Sequence, residues 1–531
     1  MKRDHPADRL DKEQKEAVES TAQHTLVVAG PGSGKTTVLT ARYIRCLEEG
    51  YSPEELCAIT FTNRAACQMR HRIEKALGKP VSLPFIDTFH GLALKVLKKL
   101  KSFRLYGRED TVELLKGLGV TKPVRTAERL SLIKNLVLRE PSKDEEEALR
   151  LYTKELKQRG ALDLDDLLVE LSMVLEDGGG PSFSYILVDE FQDINPLQAH
   201  LIRLFTEKGA GLFAIGDPDQ SIYGFRGANL EGFLRFKESY PEARLVTLTR
   251  NYRSFEPIVL SATRLIEHNK DRIAHPVEAV RKGGNRIVHA RLPSDRAEAE
   301  FVANQIETLM GGLSSLGTKG ESGDYTFSDF AVLFRTHRQI LLFEEVFRAS
   351  SIPYRVVSIP EGIRRLADEL KVAEEALSPD TIVELAKRVG LSEEQVGFVL
   401  SLAEECATKE ELTERLILMD IPDVAGIEAD RVTLLTMHAA KGLEFRVVFV
   451  AGCDDGIIPL KGEDIEEERR LFYVAMTRAA ERLYLTGADR RRACEDTLKK
   501  SRFIGDIPRE FVEEHQIRRK KKRPFQRGLF D

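Results

Sequence analysis

The 531-residue chain contains no Trp, and aromatic residues make up only 7% of it. No apolar run approaches the roughly 18 residues a membrane-spanning helix requires, so no transmembrane segment is expected. The opening M-K-R-D-H-P-A-D-R-L lacks the apolar stretch of a secretory signal. The six cysteines (Cys46, Cys57, Cys67, Cys406, Cys453, Cys494) are scattered and form no C-x-x-C pair. Their spacing argues against a zinc or iron–sulfur site and against a disulfide scaffold. It fits a reducing cytosol, so a cytoplasmic location is expected. The net charge of -5 excludes a coat held on nucleic acid by bulk charge alone. Any DNA or RNA contact must then use local patches.

Hydrophobic residues (42%) and charged residues (31%) are in ordinary globular proportion, and the length suits about three or four domains. Short β-branched runs lead through polar or Gly-rich turns into helical patterns at Thr25–Ala29, Tyr185–Val188, Leu212–Ile215, Leu245–Leu248, Phe330–Phe334, Val432–Leu435 and Val447–Val450. Buried parallel strands read this way, which makes the fold class α/β. Residues 101–180 and 361–427 are instead charged and helical, with Ile382, Val383, Leu385, Ala386 and Val389 at helical spacing. Two helical insertions in two α/β cores account for that pattern. The Gly/Ser-rich stretch 311–324 reads as a surface loop. From about residue 491 the chain reads as a flexible tail, ending in R-R-K-K-K-R (518–523) and P-F-Q-R-G-L-F-D.

The strongest local signal is A-G-P-G-S-G-K-T (29–36) between an apolar strand and a helix. Gly30, Gly32 and Gly34 let consecutive N–H groups turn toward phosphate oxygens, and the helix N-terminus favours the same anion. Lys35 can reach the β- and γ-phosphates, and the Thr36 hydroxyl can ligate Mg2+. Ala29, Pro31, Ser33 and Thr37 complete the expected ATP-binding segment. Ala29 replaces the first Gly of the strict pattern. A plain Gly-rich turn is the alternative.

Tyr185–Val188 then runs into D-E-F-Q-D (189–193). Asp189 suits a Mg2+ held through its water shell, and Glu190 suits orienting or deprotonating an attacking water. A third strand ends in G-D-P-D-Q-S-I-Y-G-F-R-G-A (216–228). Gln220 is placed to sense a γ-phosphate. Tyr223, Phe225 and Arg226 form an aromatic–basic group suited to stacking on single-stranded bases. A packed turn with core Tyr and Phe is the competing reading.

Together these strings resemble the UvrD/Rep/PcrA family of superfamily 1 DNA helicases, in motif order over nearly the whole chain. L-D-K-E-Q-K-E-A-V (10–18) resembles the adenine-reading segment, which assigns Gln14 to the base. I-T-F-T-N-R-A-A (59–66) and D-T-F-H-G-L-A (87–93) resemble two DNA-contacting segments, which assigns Phe61, Thr62, Asn63 and His90 to the strand. L-D-L-D-D-L-L (162–168) is similar to the segment ahead of the D-E strand. R-N-Y-R-S (250–254) implies Tyr252 stacked on adenine and Arg253 at the γ-phosphate. T-M-H-A-A-K-G-L-E-F (436–445) implies His438 on DNA, with Gly442 and Glu444 by the nucleotide. E-E-R-R-L-F-Y-V-A-M-T-R-A (467–479) implies Arg478 as an arginine finger.

The resemblance implies two RecA-like P-loop cores with mainly parallel sheets, each carrying a helical insertion. The first core would take 1–100 and 166–250, with 101–165 as its insertion. The second would take 251–360 and 428–490, with 361–427 as a reduced insertion, and 491–531 would be the tail. ATP and Mg2+ are the implied cofactors. Single-stranded DNA and 3′-tailed duplex DNA are the implied partners of a monomer. The implied activity is 3′-to-5′ translocation and unwinding, in repair or replication. A translocase that strips proteins or needs a partner to unwind is one alternative, and a nucleotide-controlled, clamp-tethered adaptor is another.

Three departures stand out. Phe225 occupies the position where the family usually has Trp, Thr37 replaces a frequent Arg, and both insertions are short. The terminal Gln526–Phe530 segment, Q-R-G-L-F, resembles peptides that bind bacterial sliding clamps, although Arg527 stands where Leu is common.

Overall fold

Runs of Val, Ile, Leu and Phe form the centre of the chain because a parallel strand buries both faces and leaves no polar alternation. The computed structural model describes residues 10–515, apart from 229, 271, 312–324, 358–360, 374–377, 407, 420–422, 424–429 and 493–496. The strands before residue 250 are β1 (His24–Ala29), β2 (Leu56–Ile59), β3 (Ile86–Asp87), β4 (Arg104–Tyr106), β5 (Ala161–Asp163), β6 (Tyr185–Val188), β7 (Gly211–Gly216) and β8 (Arg244–Leu248). Six of them form a parallel sheet in the order β3-β2-β6-β7-β1-β8. All four residues of β6 and all six of β7 are buried.

The later strands are β9 (Arg250–Phe255), β10 (Glu278–Arg281), β11 (Ile287–Leu292), β12 (Phe330–Phe334), β13 (Tyr354–Val356), β14 (Val432–Thr436), β15 (Phe445–Ala451), β16 (Ala479–Ala488) and β17 (Val512–His515). Seven form a second parallel sheet, β13-β14-β12-β15-β16-β11-β17. Helices cover each sheet. Distinct apolar clusters centre on Ile186, Leu212 and Leu201 in the first unit and on Val448, Leu485 and Phe472 in the second.

The first insertion pairs β4 with β5 and adds helices Arg108–Gly117, Pro123–Lys134 and Lys143–Gln158 around Leu115, Tyr152 and Leu156. The second places helices Glu361–Val372, Pro379–Arg388, Glu393–Glu404 and Lys409–Ile417 around Ile363, Leu366, Leu385, Val399 and Leu412.

The expectation of a flexible tail from residue 491 is corrected up to residue 515. Phe503, Ile504 and Ile507 are buried in the second core, and β17 adds to β11 at the sheet edge. Isolated apolar residues among many charges hid this edge strand. The 518–523 run and Gln526–Phe530 lie outside the described residues. Among the described residues, no helix is long and apolar enough to cross a membrane. The described cysteines Cys46, Cys57, Cys67, Cys406 and Cys453 are free thiols.

Candidate nucleotide and DNA site

The candidate residues gather at the carboxyl ends of the strands, where parallel α/β sheets bind ligands. The loop after β1 turns through Gly32 at φ +66° and Gly34 at φ +84°, and Gly34 precedes the helix Lys35–Glu48. A Cβ on Gly32 would lie 2.7 Å from the Cβ of Arg253, so the loop needs glycine both for its turn and for this close approach. Ser33 Oγ donates to the Gly30 carbonyl at 2.7 Å, and Lys35 Nζ donates to the Ala29 carbonyl at 3.2 Å. Gln14 Nε2 donates to the Ser33 carbonyl at 2.8 Å. Thr36 and Thr37 begin the helix.

The segment leaving β8 closes over this loop. Asn251 Nδ2 donates to the Pro31 carbonyl at 2.7 Å, and the Tyr252 N–H donates to the Gly32 carbonyl at 2.9 Å. Tyr252 is 41% exposed, leaving its ring available to a planar ligand. Arg253 Nε donates to Glu444 at 2.6 Å, and its guanidinium also reaches the Thr477 carbonyl at 3.2 Å. Gly442, two residues before Glu444, takes φ +81°.

Asp189 and Glu190 follow β6, and Glu190 sits in the left-handed region at φ 48°. A non-glycine residue there is strained, and such strain collects at functional sites. Burial and the neighbouring Glu190 charge push the Asp189 carboxyl up. Burial also opposes the Glu190 charge, but Lys35, Lys441, a hydrogen bond from Gln192 and Arg478 outweigh it and hold that carboxyl down. Asp189 is thus a buried acid, and Thr36 offers a hydroxyl at the start of the helix that follows the glycine-rich loop. This hard-oxygen pair fits a divalent cation such as Mg2+.

A hydrogen-bonded chain runs from Glu190 to the second core. Gln192 Nε2 donates to Glu190 at 2.6 Å, and Gln192 Oε1 accepts the Asp217 N–H at 2.9 Å. Gln220 Nε2 donates to Asp217 at 2.6 Å, and Gln220 Oε1 accepts from Arg478 at 3.1 Å. Arg478 is 2% exposed and also donates to the carbonyls of Val474 and Leu443. Burial, then the nearby Arg253 charge, lowers its pKa to about 9, so the guanidinium stays charged at neutral pH.

The aromatic–basic group lies alongside. Phe61 and Tyr223 stack with centroids 5.2 Å apart, and Phe225, 60% exposed, meets His438 edge-on at 5.7 Å. The Arg226 guanidinium lies 5.4 Å from the Tyr223 centroid. Burial, followed by the Arg335, Arg226 and Lys441 charges, lowers the His438 pKa to about 4. His90 stands in the first turn of helix Phe89–Leu100, after β3. Thr62 caps the helix Asn63–Leu77 by accepting the Ala65 N–H. Asn63 donates to Asp423 at 2.9 Å and to the Leu418 carbonyl at 3.2 Å, both in the second insertion.

Sequence reasoning gave no role to Lys441, Gln192, Asp193, Asp217 or Asn251. Lys441 pairs with buried Asp193, donates to the Gln220 carbonyl at 2.6 Å and sits 5.2 Å from the Tyr223 centroid. It therefore touches both the carboxylate segment and the aromatic group. All five residues stand inside the strings quoted above. A buried amide, acid or lysine within such a string is the signal that could have marked them.

The UvrD/REP helicase N-terminal domain family matches residues 10–128 and 125–241, and the UvrD-like helicase C-terminal domain family matches 246–361 and 402–490. The chain is 30% identical to the ATP-dependent DNA helicase PcrA of Staphylococcus epidermidis, over 95% of this chain and 87% of that one. It is 29% identical, over the same shares, to the ATP-dependent DNA helicase PcrA of Staphylococcus aureus. The first alignment spans 646 positions, more than the 531 residues of this chain, so the relative carries segments missing here. On these matches, the chain belongs to the UvrD/Rep/PcrA helicase family.

Proposed function

We propose that the protein is an ATP-driven motor that moves 3′ to 5′ along single-stranded DNA and separates duplexes from a 3′ tail. The observation that carries this reading is the chain Glu190–Gln192–Asp217–Gln220–Arg478, which joins the carboxylate of one core to an arginine of the other. The polarity follows the family, and the two Staphylococcus relatives are named as DNA helicases.

In this reading ATP lies between the cores, with its base by Gln14 and Tyr252 and its phosphates on the 29–36 loop. Thr36 and Asp189 would hold Mg2+, which neutralises phosphate charge when bound. Lys35 moves from the Ala29 carbonyl to the phosphates, which relieves Glu190 of one neighbouring cation. Glu190 then orients the attacking water and accepts its proton. Arg253 and Arg478 offset charge developing on the γ-phosphoryl group, an effect worth about 1,000- to 100,000-fold in rate. Gln220 reports the γ-phosphate to both cores. Closure on ATP and opening after hydrolysis change the grip of Phe61, Tyr223, Phe225, Arg226 and His438 on the strand. His90, Thr62 and Asn63 would add contacts along the first core.

A cytosolic monomer acting in repair or replication completes the proposal, with Gln526–Phe530 as a tether to a sliding clamp. Strand displacement with ATP on 3′- and 5′-tailed duplexes tests it. Displacement from the 3′ tail alone is expected. Displacement from the 5′ tail alone, or from neither, would overturn autonomous 3′-to-5′ unwinding.

A further inference from the structure

Asp11 stands just ahead of the helix Lys12–Val18, and its carboxylate has two partners on different parts of the site. Oδ1 accepts the Gln14 N–H at 2.8 Å, and Oδ2 accepts the Tyr252 hydroxyl at 2.5 Å. Gln14 answers through its side chain. Its Oε1 accepts the Asp11 N–H at 3.0 Å, while its Nε2 donates to the Ser33 carbonyl at 2.8 Å. A backbone N–H can only donate and a carbonyl can only accept, so these two bonds fix which end of the carboxamide is oxygen. Each end keeps capacity for one more bond: a lone pair on Oε1 and a hydrogen on Nε2. That pattern matches the amino group and N7 of adenine. It mismatches guanine, whose O6 and N7 both accept.

The helix is pinned again by Glu13, whose carboxylate accepts both the Thr249 N–H and hydroxyl at 2.7 Å. The Arg250 guanidinium interacts with the Tyr252 hydroxyl as well. Asp11 thus connects the two residues assigned to the base, although one belongs to the N-terminal helix and the other to the segment entering the second core.

We propose that Asp11 is a positioning residue for purine recognition, holding the Gln14 carboxamide and the Tyr252 ring in one geometry that selects adenine. The inference rests on the reading of this pocket as the ATP site. It adds that selectivity depends on a residue that touches no nucleotide atom.

Asp11→Ser separates the two bonds. Serine caps a helix about as well as aspartate but is too short to tether the Tyr252 hydroxyl. The expected result is a rise in the KM for ATP of about 3- to 10-fold, a much smaller change in kcat, and a fall in the ATP-to-GTP ratio of kcat/KM. Tyr252→Phe, which keeps the ring, should act in the same direction. The double variant should be no worse than the poorer single one, because both remove one contact. An unchanged KM and base preference in Asp11→Ser, or multiplying losses in the double variant, would overturn the proposal. So would equal losses of kcat and thermal stability, the mark of a purely structural cap. Failure of the wild-type protein to hydrolyse ATP would instead overturn the reading of the pocket.

Discussion

Arg478 of the second core donates to Gln220 of the first at 3.1 Å, within a site where both side chains are almost fully buried. The contact places a buried cation and the Gln220 carboxamide on one hydrogen-bonded path, and that path ends at Glu190. In the proposed reading this path links the two halves of the ATP site.

Gln220→Ala removes the middle of that path. Turnover should fall about 100- to 1,000-fold, comparable to the loss of one preorganised catalytic hydrogen bond. Nucleotide binding, followed with a fluorescent ATP analogue, should change far less. A loss of binding as large as the loss of rate would show that Gln220 only holds the nucleotide.

Lys441→Met should uncouple hydrolysis from DNA, because this ammonium bonds the Gln220 carbonyl and lies over the Tyr223 ring. It also leaves Asp193 buried without its cation, a loss of about 3–5 kcal/mol in stability. Adding Asp193→Asn should restore much of the stability in urea unfolding but not the stimulation by DNA. Recovery of both would make Lys441 merely structural.

Phe225→Ala should weaken single-strand binding by about 5- to 150-fold, the value of stacking for one base. The ring is exposed and in contact with His438 and Tyr223. Fluorescence anisotropy at one fixed salt concentration is the check, and Phe225→Trp should tighten binding through its larger face. Unchanged affinity in Phe225→Ala would remove this residue from the strand path.

His438 supplies a pH test. Burial holds its folded-state pKa at about 4, below its ordinary 6.5, so the unfolded chain takes up this proton first. The stability it contributes is intact above pH 6.5 and is lost as the pH falls toward 4. His438→Gln should therefore flatten the pH dependence of the unfolding midpoint between those values. An unaltered slope would contradict the buried neutral state.

Much of this site was legible because the chemistry demands local order. A phosphate loop must follow a buried strand and open a helix, and the 25–44 segment carries all three parts in its pattern. The D-E pair directly follows a strand whose apolar run announces it, and Gln220 stands in the turn after another such strand. What stayed hidden was relational. Lys441 has its role only because the second core meets the first, and Gln192 and Asp217 join loops that leave two different strands, so no spacing encodes those approaches. The edge strand Val512–His515 escaped because only one of its four residues is apolar, so its pairing depends on β11 being in place. Asn63, assigned to DNA by resemblance, is held by Asp423 of the second insertion, a contact between residues far apart in the chain.

The central claim is that strand binding and ATP hydrolysis are one coupled event across the two cores. Its most direct test is steady-state ATP hydrolysis by the full chain as single-stranded DNA is added, with Glu190→Gln as the inactive control. The account predicts low turnover without DNA, saturable stimulation of at least about tenfold with it, and no turnover in the variant. Hydrolysis that is equally fast without DNA, or that persists in Glu190→Gln, would contradict it.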